Sequence, residues 1–113
     1  MTGLWIGRGE RARWQRRAAA ELAAILDARP GLPVIGWTVG PAGSVLTGQV
    51  SGLVPAVQVR EVFAAWRLAL ALEDYREHQM SGGTMWLHAA ACRRQVKVRL
   101  TATVLEDVGG AAQ

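Results

Sequence analysis

Trp14, Ala18, Leu22, Ile25 and Leu26 recur at three- and four-residue intervals in RGERARWQRRAAAELAAILDAR. That spacing predicts a helix over 8–29, with Pro30-Gly31 as its stop. The period then changes to two. In VIGWTVGPAGSVLTGQVS (34–51) a turn at GPAG, residues 40–43, predicts a hairpin. Centred on Pro41-Ala42, it pairs Val39 with Ser44, Trp37 with Leu46 and Ile35 with Gly48. Ile35, Trp37, Val39, Leu46 and Val50 fall on one face, and Val34, Gly36, Thr38, Val45, Thr47 and Gln49 on the other.

Helical spacing returns after Pro55, which suits a first helical turn, and predicts a second helix over 56–79. Val59, Val62, Phe63, Trp66 and Leu70 form its core stripe, and Ala64, Ala65, Leu68, Ala71, Leu72 and Tyr75 make the far side apolar too. Its end, EDYREHQ (73–79), is polar, and Ser81-Gly82-Gly83 breaks the chain. TMWLHAAACRRQVKVRLTATV (84–104) reads as a second hairpin turning at Arg93-Arg94. It pairs Ala91 with Val96, Ala89 with Val98, Leu87 with Leu100 and Met85 with Ala102, an entirely apolar set.

The predicted order is α-β-β-α-β-β. It implies an α+β two-layer sandwich, a four-stranded antiparallel sheet with two helices on one face. The expected domain is 1–107, with a flexible tail at 108–113.

With 113 residues, half of them apolar, the chain has enough material for one core without cross-links. A single cysteine fits a reducing compartment. The start, MTGLWIGRGERARW, does not read as a signal peptide, and no run approaches the ~20 apolar residues of a membrane span. These features point to a cytoplasmic protein away from the membrane. Net charge is +4, and twelve of the thirteen basic residues are Arg. A high-GC genome produces such a bias, and so does selection for bidentate phosphate contact.

Catalytic chemistry finds little support. His88 and Cys92 would be neighbours on a helix, but on a strand they stand ~13 Å apart and cannot share a metal ion. Cys92 has no base beside it. Asp74 and His78, at i and i+4 of the second helix, read as a solvated pair. GPAG matches the G-x-x-G of KH domains, but there the loop joins helices and here it joins strands. The expectation is a protein that is no enzyme, with no catalytic, cofactor-binding or metal residues and no cofactor.

Binding surfaces are better marked. The hairpin register exposes Thr84, Trp86, His88, Ala90 and Cys92, with Lys97 and Arg99 on the same face. It places Trp86 near Thr101 and His88 beside Arg99. An outward Trp among cations suits base stacking and phosphate contact, or packing under a loop or subunit. RNA-recognition motifs use a sheet face this way, though their central-strand aromatic signature is missing. Arg8, Arg11, Arg13, Arg16 and Arg17 form a second basic cluster beside Trp5 and Trp14. Cations at a helix start oppose its dipole, which favours a use for them. Ala65, Leu68, Leu72 and Tyr75 are candidate dimer contacts, because the back of a helix on one sheet has nothing else to cover it.

The pattern L-x-x-I-L…LPVIGWTVGPAGSVLTGQV…VFAAWRLAL…VKVRLTATV resembles small αββαββ proteins of high-GC actinobacteria. The resemblance spans the body of the chain and rests on Trp37, Gly48, Trp66 and the final strand. It implies the same element order and carries over no active-site residue. The expected function is that of a basic, dimeric accessory protein contacting nucleic acid through arginines in a regulatory role. Its rival is a protein–protein interaction module or assembly subunit that uses the apolar helix-two face and Trp86.

Overall fold

A computed structural model describes residues 8–40, 45–50 and 55–105. Trp5, most of the GPAG turn, the tail at 108–113 and the side chain of Arg8 lie outside the described residues. The elements are α1 (Arg8–Ala28), β1 (Gly36–Val39), β2 (Val45–Val50), α2 (Ala56–Ala69), β3 (Glu73–Gln79), β4 (Thr84–Arg93) and β5 (Val96–Leu105). A short 3-10 turn, Ser81–Gly83, joins β3 to β4. The sheet has five strands in the order β1-β2-β5-β4-β3. Its topology is mixed: β2 runs parallel to β5, and every other pair is antiparallel. The expected four-stranded, purely antiparallel sheet is therefore corrected to a five-stranded mixed one, in an αββαβββ order.

The fifth strand comes from residues expected to extend the second helix. Helix α2 stops early, in a Schellman motif. The Leu72 N–H donates to the Arg67 carbonyl (3.0 Å) and the Ala71 N–H to the Leu68 carbonyl (3.1 Å), with Ala71 left-handed at φ 53°. Glycine normally fills that position and signals the stop, whereas Ala71 gives no signal. Its Cβ also costs about 1–2 kcal/mol in this conformation. Ala71→Gly should therefore raise stability by about 0.5–1 kcal/mol, since relief of strain outweighs the added freedom of the unfolded chain. Paired urea melts check this, and a loss of stability would show that Ala71 is not strained.

Both hairpins keep their predicted faces but shift register by two. Val39 pairs with Leu46 and Trp37 with Gly48 in the first; Ala91 pairs with Val98 and Met85 with Val104 in the second. The second turn is centred on Arg94-Gln95, both left-handed at φ 51° and 70°, the signs that a two-residue type I′ hairpin demands. Neither residue favours that conformation, and α1 holds it in place. Arg17 donates to the Gln95 side chain (2.6 Å). Glu21, 5% exposed, accepts from Arg93 at 3.3 Å and lies 3.8 Å from Arg94. Glu21 thus joins Ala18 and Ile25 on the buried stripe of α1, while Leu26 is exposed.

Ala18 and Ile25 of α1 and Val59, Phe63 and Trp66 of α2 share one core with Leu46, Leu87, Val98 and Leu100. Both helices therefore lie on the same face of the sheet. Arg29 ties their ends together, donating twice to the Ala69 carbonyl at the close of α2 (3.1 and 2.7 Å). Among the described residues no helix is long and apolar enough to cross a membrane.

Candidate nucleic-acid interface

Because side chains alternate along a strand, the register that buries Val96, Val98 and Leu100 turns Lys97, Arg99, Thr101 and Thr103 to the other face. No described helix covers that face. Across it, Gly36, Gln49, Thr101, His88 and Arg76 line up strand by strand. The adjoining row carries His78, Trp86 and Thr103. Trp86 thus stands opposite Thr103, and His88 opposite Thr101. The partners expected for them, Thr101 and Arg99, each lie one same-face position earlier on β5.

The Trp86 ring has two imidazole neighbours. His88, two residues on in the same strand, stacks at 5.1 Å between centroids with planes 24° apart. His78, across the strand on β3, lies at 5.5 Å with planes 33° apart. The β3 contribution has no signal in the sequence, where residues 73–79 continue the helical spacing of α2. There Asp74 and His78 would have faced one another. On the strand, Asp74 instead accepts from Arg76 (3.1 Å) and His78 turns to Trp86.

Cations lie at the His88 end of this aromatic group. Arg76 is directly across from His88, and Arg99 is one step along β5, opposite the small, buried Ala90. Lys97 follows, opposite Cys92. Two nitrogens here, His88 Nδ1 and Arg99 Nε, are buried and have no hydrogen-bond partner among the described residues. Burial holds the His88 imidazole below its ordinary pKa, and the positive charge of Arg99 lowers it further. Asp74 acts in the opposite direction, while Lys97 and Arg76 add to the lowering. His88 is therefore mainly neutral at neutral pH.

The α1 arginines stand elsewhere. Arg11, Arg13, Arg16 and Arg17 are on the exposed side of a helix whose buried stripe packs on the opposite face of the sheet from Lys97 and Arg99. Arg17 is occupied at the β4–β5 turn by Gln95. The two basic groups do not form one flat surface.

The candidate dimer residues are also dispersed. Leu68 is 83% exposed on α2 and Ala65 is half-buried, whereas Leu72, at 4%, belongs to the core. Tyr75 lies on β3 beneath the Arg67 guanidinium, 4.4 Å from its ring centroid, and donates to the Glu77 carboxylate. Burial, with Glu77 beside it, raises the Tyr75 pKa. A groove of about 370 Å³ lined by Ala64, Arg67, Leu68, Ala71 and Leu72 runs along this side.

Among the described residues no three His, Cys, Asp or Glu side chains are placed to hold a metal ion. His88 and Cys92 lie on one face of an unbroken strand, four residues apart. Compared with known protein families and with curated proteins, the chain matches none.

Proposed function

We propose that this is a non-enzymatic cytoplasmic accessory protein that binds single-stranded nucleic acid on the open face of its sheet. One observation carries the reading: Trp86, with His88 stacked beside it and His78 across the strand, stands on an uncovered face that also carries Arg76, Arg99 and Lys97. A base offers a π-face to such a platform, and its backbone offers charge to the cations. An unstacked strand fits a sheet face better than a duplex does, because a duplex keeps its bases turned inward. The lone cysteine is consistent with a reducing compartment.

A protein-partner reading, including a homodimer, is favoured by Leu68 and Val57, which leave α2 with exposed apolar side chains. One titration separates the two. Labelled single-stranded oligonucleotide is titrated with wild type, Trp86→Ala and Leu68→Arg, with anisotropy and light scattering recorded together. Under the nucleic-acid reading, Trp86→Ala weakens binding about tenfold, the worth of one base stacked on an aromatic ring, and Leu68→Arg leaves it unchanged. A concentration-dependent mass that Leu68→Arg abolishes, with no oligonucleotide binding even at low salt, would transfer the function to α2.

A further inference from the structure

We propose that His88 and Arg99 together seat one phosphate group of a strand whose base stacks on Trp86. This rests on the open-face reading above and adds to it the atoms that hold the backbone. The reasons are geometric. Buried nitrogens are nearly always satisfied, since an unmade hydrogen bond there costs about 1–3 kcal/mol. His88 Nδ1 and Arg99 Nε both lack a partner among the described residues; the His88 ring stacks on Trp86, and Arg99 stands on the same sheet face one same-face position from the residue opposite His88. Ala90, directly across from Arg99, offers no polar group to either. Both atoms are covered in the free protein, so the His88 and Arg99 side chains turn outward to meet an acceptor-rich anion on the open side, which then supplies what both lack.

The charges around His88 favour the same occupant. Arg99 and Lys97 on β5 and Arg76 on β3 are positive; Asp74 on β3 is negative and paired with Arg76; His78 on β3 reaches Trp86 rather than His88. A phosphate in the seat would offset Arg99 and Lys97 and accept from a protonated imidazole. Binding would therefore draw a proton onto His88. Its pKa in the complex would lie above that of the free protein, so affinity is highest below the free value and falls as pH rises through the bound value.

The test uses the intact protein with a labelled oligothymidylate, an abasic oligomer of equal length, and inorganic phosphate. Histidine ring signals are followed by NMR alongside anisotropy. Oligothymidylate should bind more tightly at about pH 5.5 than at about pH 8, and the His88 titration should move upward on binding. Arg99→Gln should weaken binding at least tenfold and lower the salt slope by about 0.7, one phosphate's share for single strands. Arg99→Lys should keep the slope but lose affinity, and His88→Gln should flatten the pH dependence. Thermal melts establish that each variant remains folded. Weaker binding of the abasic oligomer with the same pH response places the seat on the backbone; inorganic phosphate binding as tightly as oligothymidylate would make it a free-anion site and overturn the proposal. So would an unmoved His88 titration, or Arg99→Gln binding like wild type while Trp86→Ala does not, although either result would leave the open-face reading standing. No oligonucleotide binding at low salt, by contrast, removes both.

Discussion

Trp66→Ala should cost about 3–5 kcal/mol, the range for removing a buried Trp or Phe side chain. Trp66 is 2% exposed and is among the largest fully buried side chains. Its indole N–H donates to the Pro33 carbonyl (2.8 Å), fixing the segment between α1 and β1. Its ring meets Trp37 edge-on at 5.6 Å, a contact worth about 0.5–1.5 kcal/mol beyond the area it buries. A domain of this size holds only about 5–15 kcal/mol in total, so the variant should show a clearly lower urea midpoint or fail to fold at moderate temperature. Trp66→Phe separates the contributions. It keeps much of the volume and loses the bond to Pro33, whose carbonyl belongs to an exposed residue and regains water, so it should cost far less than the alanine variant. Equal losses in the two would place the importance of Trp66 in its hydrogen bond rather than its bulk.

Gly48 is the second sensitive position, and here the expected sign opposes strand propensity. Glycine inside a strand ordinarily weakens it, and alanine would recover about 0.5–1 kcal/mol. At Gly48, a Cβ would meet Ile35 Cδ1 at 3.0 Å and Trp37 Cη2 at 3.0 Å. Trp37 is the residue directly across the β1–β2 pair, so its ring lies over the space a side chain would take. Moving that ring also disturbs its contact with Trp66. Gly48→Ala should therefore destabilise by about 1–3 kcal/mol, and Gly48→Val by more. In a Trp37→Leu background the cost of Gly48→Ala should shrink, because the obstructing ring is gone. Melts of the four proteins in that cycle measure the coupling. A stabilising Gly48→Ala would mean that β1 yields freely and does not anchor the core.

The parts of the fold legible in the sequence share a cause. Strands that bury one face must alternate, so the faces of both hairpins could be sorted from residue type, and a register error of two preserves that sorting. Trp86, His88, Lys97 and Arg99 therefore fall on one surface in either register. The turn itself was obscure because Arg94 and Gln95 are held in left-handed conformations by Arg17 and Glu21, which are distant in sequence. Strand β3 was hidden for a different reason. As a sheet edge with Glu73, Asp74, Arg76, Glu77, His78 and Gln79, it lacks alternation, and its charges and irregular pairing suit an edge protected against further strands. With it went the contact of His78 with Trp86, for which no local signal exists. The parallel β2–β5 pairing is equally silent, because it joins elements separated by a helix and two strands.

That pairing also has a consequence for synthesis. The last strand along the described chain, β5, occupies the middle of the sheet, between β2 and β4. A ribosome completes β2 first and must then make α2, β3 and β4 before β2 receives its second neighbour. At ordinary elongation speeds this takes roughly several seconds. Throughout that time one edge of β2 has unpaired backbone groups, and Leu46 and Val50 on its core face lack the α2 and β5 side chains that complete the core. The nascent chain is most open to misassociation in this interval. A translational pause between residues 55 and 95 lengthens it, and arrival of 96–105 ends it by closing both halves of the sheet at once.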